Sequence, residues 1–123
     1  WSNGQATGLM NSADMQQLEA NIQAAKDTVA LGNALGRLKH NQDFKQVIIE
    51  GYLKDEAVRL VHLKGAPGMQ TAERQASIIR DIDSIGALTS YFDAVRHLAM
   101  QAAKSLADDE ETLEELAREE LGQ

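Results

Sequence analysis

From Ala72 to Leu106, Ile78, Ile82, Ile85, Leu88, Phe92, Val95, Ala99, Ala102 and Leu106 recur at steps of three and four. This spacing keeps one face of an α-helix apolar, and no proline interrupts it. The pattern predicts a helix of about 34 residues, which would be about 50 Å long. A single compact domain of 123 residues does not need so long an element. It therefore calls for a partner of comparable length: the first helix of the same chain, neighbouring subunits, or both.

A first long helix is expected upstream. Asp14 with Gln17 three residues later is a capping-box pattern, and Met15, Leu18, Ile22, Ala25 and Val29 follow at helical spacing. The apolar seam continues through Gly32, Leu35 or Gly36, and Leu38, so this helix is predicted from about residue 14 to about residue 39. Gly32 and Gly36 are four apart, and Ala25 is one heptad before Gly32. Small residues at this spacing let another helix approach closely, within the chain or from a second subunit. Gly32, Leu35, Gly36, Ile78, Ile82, Ile85 and Phe92 are accordingly the candidate helix-packing and oligomer residues. The chain opens on Trp1 rather than Met, so residues 1–11 are set aside as a flexible N-terminus, leaving a helical domain over residues 12–107.

Between the long helices, Asn41 or Asp43 can cap a short helix carrying Phe44, Val47 and Ile48. Gly51 falls where such a helix would end at positive φ. Asp55 and Glu56 can open another, with Ala57, Val58, Leu60, Val61 and Leu63. Gly51 to Lys54 is thus a bend, or one helix runs through it at a cost. The segment GAPGMQT, residues 65–71, is the strongest punctuation: Gly65 can close a helix, Pro67-Gly68 is a turn dipeptide, and Thr71 can cap the next helix. The fold class is all-α, a helical hairpin or bundle with two long and two short central helices.

The net charge of −7 is local. Asp108 to Glu120 holds eight acids and one base, leaving eleven of each in the rest of the chain. A neutral body without a basic face argues against direct nucleic-acid binding. A local acidic block, unlike carboxylates spread at phosphate spacing, reads as a solvated face or an interaction tail. Leu113 and Leu116 keep a helical pattern there, so residues 108–123 are an acidic C-terminal helix or tail. Asp109, Glu110, Leu113, Glu114 and Leu116 are its candidate partner-binding residues, for a protein with a basic surface. No apolar run approaches a membrane span and no signal-peptide pattern opens the chain, so a soluble protein with no membrane partner is expected.

Catalytic chemistry finds little footing. There is no cysteine, and His40, His62 and His97 lie more than twenty residues apart with no ligand-spaced motif. Asp93 and His97, at i and i+4, are more often a surface hydrogen bond than a metal pair. Asp81 and Asp83 point to different helix faces, whereas acid/base work needs converging carboxylates. Ser84, Thr89 and Ser90 have no adjacent histidine and acid. GAPGMQT lacks the Lys-Ser/Thr ending of a phosphate loop and follows a helical run rather than a strand. Phe92 falls in the core stripe with Tyr91 beside it, and Arg96 alone is too little for a base-stacking platform. No enzyme, cofactor or metal is expected.

The run NQDFKQVIIEGYLKDEAVRLVHLKGAPGMQTAERQASIIRDIDSIGALTSYF, followed by an acidic Leu-Glu-rich end, resembles small helical proteins of unassigned role encoded in tailed-phage genomes, often near head and packaging genes. The resemblance covers about residues 31–120 and implies a task in virion structure, head assembly or DNA packaging, in the host cytoplasm or the virion. It carries over no functional residues. Three roles follow as expectations: a homo-oligomeric assembly protein, a small DNA-packaging subunit, or an inhibitor of a host protein acting through the acidic segment.

Overall fold

The computed structural model describes residues 2–122, with side chains from residue 12 onward. Among the described residues the chain is all-helical. Helix α1 spans Ser2–Lys39 and α2 is the single turn Gln42–Phe44; a π-helical segment, Lys45–Glu56, follows, then α3, Ala57–Lys64. A 3₁₀ turn at Pro67–Met69 leads to α4, Ala72–Leu121. No residue from 42 to 64 leaves helical conformation, so the stretch read as two short helices is one run with an altered winding. Among the described residues no helix is long and apolar enough to cross a membrane.

Helix α1 begins well before Asp14, the cap expected from sequence, and ends where expected. Its surface is tied along its length by Gln17 donating to Asn21 and Gln23 to Asp27, each at 3.0 Å and four residues on. Arg37 and Lys39 in the last turn suit the negative end of the helix dipole. Asn41 then takes an extended conformation, and its Oδ1 accepts from the Phe44 amide at 2.9 Å. Of the two candidate caps, Asn41 is the one that bonds, and Asp43 sits in the first turn.

The π segment corrects two sequence expectations. Gly51 is expected from sequence to end a helix at positive φ, yet no glycine among the described residues has positive φ. A Cβ at Gly51 would lie 3.0 Å from the Gln46 carbonyl oxygen, five residues back. That carbonyl is the acceptor that i→i+5 bonding assigns to the Gly51 amide, so glycine fits the wide turn by leaving room for it. The second correction concerns register. Phe44, Ile48, Tyr52 and Ala57 are half-buried at steps of four, four and five, and buried Leu60 follows three residues on, while Lys45, Ile49, Gly51, Leu53 and Glu56 are half-buried as well. Val47, read from α-helical spacing as inward, is 63% exposed, and Val58 and Val61 also face out.

Two compact units divide the chain, one formed by residues up to Asn33 with those from His97 onward, the other by Ala34–Arg96. In the second, Leu60 of α3 is 1% exposed and packs with Ile78 and Ile85 of α4, flanked by Tyr52, Leu53, Ala57, Leu63, Met69 and Ile82. Phe44 meets Phe92 edge to face with centroids 6.0 Å apart. The corner at residues 65–71 is closed as expected, with Thr71 Oγ1 accepting from the Arg74 amide at 3.2 Å. It is also stitched by two side chains that local turn rules do not flag. Gln70 Nε2 donates to the carbonyls of Lys64 and Ala66, and Gln75 Nε2 to those of Lys64 and Met69, all at 2.8–2.9 Å. The Lys64 carbonyl, orphaned at the end of α3, is thereby satisfied.

In the first unit, Ile22 of α1 is buried, and Lys26 Nζ reaches Glu110 of α4 at 3.9 Å. Helix α4 continues through the acidic block to Leu121 without a break at Asp108, so the block is the last turns of this helix rather than a separate one.

Two outcomes test this packing. Leu60→Ala should cost about 2–5 kcal/mol in denaturant unfolding, the range for emptying a fully buried leucine site. Gly86→Ala, at an open position of α4, should stabilise by about 1 kcal/mol. Gly51→Ala should fall short of that gain or destabilise, and an equal gain at both sites would refute the crowding at Gln46.

Candidate functional site

A concavity lies wholly within residues 34–96, between the π segment and α4. It is an open groove of about 490 Å³ with Ile48 and Leu60 at its floor and Val47, Gly51 and Tyr52 along the π-helical wall. Wide winding makes the groove: it turns Ile48 and Tyr52 inward, leaves Val47 exposed beside them, and places a residue without a side chain at 51. π-Helical stretches are uncommon, and as short bulges they often mark functional positions.

Polar groups are few. Glu56 lines the groove from the end of the π segment, and Asp81 and Ser84 from α4. Arg59 grips Glu56 in a forked ion pair, Nε lying 3.1 and 3.0 Å from the two carboxylate oxygens and Nη2 closing on Oε1. Hydrogen bonding from Arg59 holds the Glu56 carboxyl below its ordinary range, and Glu56 in turn holds the guanidinium above its own, with Asp81 adding a weaker pull. Arg59 is exposed and Glu56 only half-buried, so this pair orders the rim rather than anchoring the fold. The Ser84 hydroxyl donates to the Arg80 carbonyl at 2.9 Å. The groove's lining has no histidine, cysteine or lysine, and its two carboxylates sit beside a guanidinium. The arrangement suits burial of an apolar side chain better than proton transfer.

The seven candidate packing residues fall into two sets. Leu35, Ile78 and Ile85 are buried, and Ile82 and Phe92 are half-buried, so their apolar surface is largely spent within the chain. Gly32 is half-buried. Gly36 is exposed, and a Cβ there would meet nothing within 4 Å, so no close approach inside the chain requires it. Of the candidate partner-binding residues, Asp109, Leu113 and Leu116 are half-buried on one side of α4, while Glu110 and Glu114 are exposed.

Among the described residues no three metal-ligating side chains cluster, and His97 Nε2 lies 3.1 Å from the Gln101 amide nitrogen. Sequence reasoning does not identify Val47 and Glu56 as groove residues or Arg59 as the clamp beside them. Val47, Ile48, Gly51 and Tyr52 stand at i, i+1, i+4 and i+5, a spacing that an α-helix also puts on one face, so periodicity does not mark the wide turn. Comparison with protein-family models, curated proteins and solved structures finds no match.

The ion pair has a direct test. In Arg59→Ala, the Glu56 carboxyl should titrate closer to the ordinary glutamate range when followed by carbon-13 NMR, and an unchanged titration would show that Arg59 does not set it.

Proposed function

We propose that the chain is a non-enzymatic phage protein of virion structure, head assembly or DNA packaging, working through homo-oligomerisation of its helices and an acidic interaction segment. The observation that supports assembly most is the imbalance between core and surface. Six apolar side chains are buried among the described residues, while Leu31, Leu38, Val47, Val58, Val61, Ile79, Tyr91, Leu98, Met100 and Leu121 stand exposed. Scattered exposed apolar residues are normal, but a core this small beside so many is the composition of a protein that buries more surface on association. The phage setting rests on the sequence resemblance, and the host cytoplasm or the virion is the corresponding location.

A second reading, an inhibitor or modulator that engages a basic surface on a host protein, draws on the end of α4. Of its acids, Glu110 alone is in an ion pair among the described residues, and that contact is long and exposed. The remaining carboxylates are available to a cationic partner. A DNA-packaging subunit is the third reading, and it requires salt-sensitive DNA binding by the purified chain.

Absolute mass by light scattering, at two protein and two salt concentrations, tests the first reading. A discrete oligomer is expected, and a strict monomer at the higher concentration would overturn it.

A further inference from the structure

The π segment joins two apolar rows that an α-helix would turn apart. Phe44, Ile48 and Tyr52 form one, and Ile49, Leu53, Ala57 and Leu60 the other. At about 100° per residue, the sixteen steps from Phe44 to Leu60 would leave these two side chains about 160° apart, on nearly opposite faces. Yet both reach α4: Phe44 meets Phe92 edge to face, and Leu60 packs with Ile78 and Ile85. All of these residues belong to the unit Ala34–Arg96.

Winding the segment as an α-helix, with Leu60 kept in its core, would exchange each member of the first row for its C-terminal neighbour. Ile49 and Leu53 fall within about 20° of Leu60 in α winding and would replace Ile48 and Tyr52, apolar for apolar. Lys45 would come in for Phe44, the one unlike exchange. The incoming residues already stand at the edge of the contact, since Lys45, Ile49 and Leu53 are half-buried. What favours the wide winding is therefore the Phe44–Phe92 contact, which α winding gives up. Against it stand the rarity of π-helical bonding and the narrow space at Gly51, where a Cβ would lie 3.0 Å from the Gln46 carbonyl oxygen.

We propose that residues 45–56 are a two-state element, π-wound with Phe44 latched on Phe92 and α-wound with Phe44 released, while Leu60 stays packed on Ile78 and Ile85 in both. The groove belongs to the first state alone, because in the second Gly51 turns to the far side and Ile48 and Tyr52 leave the face toward α4. A molecule bound in the groove would hold the π winding, and release of the latch would erase its site. This device stands apart from the assembly reading, which requires neither state.

The two phenylalanines of the chain are the latch itself, so 4-fluorophenylalanine incorporated into the full chain reports it by fluorine NMR. In Phe44→Ala the single remaining signal gives the position of Phe92 without its partner. Gly51→Ala crowds the wide turn and favours α winding, and should carry the Phe92 signal at least halfway to that position, by displacement or as a second resonance. Both variants should keep wild-type helicity by circular dichroism, and the methyl signals of Ile78 and Ile85 should stay near their wild-type positions because Leu60 does not move. A Phe92 signal unmoved in Gly51→Ala overturns the proposal. So does loss of helicity, or of the Ile78 and Ile85 signals, in either variant, since the segment would then have no α-wound alternative compatible with the packing of Leu60.

Discussion

The second unit is organised by the packing of Leu60 against Ile78 and Ile85, where a short helix closes on a long one. Leu60 and Ile78 are almost completely removed from water, and half-buried residues from the π segment and the 3₁₀ turn gather around them. Hydrophobic burial of this kind is non-directional, so it alone does not say how the chain reverses between residues 60 and 78. Direction comes from the corner. Pro67 fixes one backbone angle, Thr71 caps α4, and Gln70 and Gln75 both bond the Lys64 carbonyl that α3 leaves unpaired.

The same cluster accounts for the unusual winding before it. With Phe44 held against Phe92 and Leu60 held against Ile78, the intervening chain must present Ile48 and Tyr52 to α4. An α-helix with 3.6 residues per turn would drift off that line between Phe44 and Leu60, whereas i→i+5 bonding widens the turn and keeps steps of four and five aligned. Gly51 accommodates the wide turn because a side chain there would crowd the Gln46 carbonyl. The groove is the geometric consequence: a flattened wall with one residue lacking a side chain, next to an outward valine.

Charge and apolar surface are distributed differently along the chain. The end of α4 carries the net negative charge, while residues 34–96 are close to neutral and hold the groove.

Much of this fold is readable from residue spacing. The all-helical class, the end of α1 at Lys39, the corner at Gly65 to Thr71 and the inward Ile78, Ile82, Ile85 and Phe92 all follow from local rules of periodicity, capping and turn chemistry. These rules work there because each depends on a few neighbouring residues. They fail over residues 45–56, where the period itself changes. Spacing puts Val47 inward and makes Gly51 a terminus because a π-helix has no local sequence signature to replace the 3.6-residue repeat. The groove, the Arg59–Glu56 clamp on its rim and the glutamine bonds at the corner are therefore decided by tertiary structure. Their partners are brought into reach by packing between α3, the π segment and α4, and that packing is a property of the whole unit rather than of any one stretch.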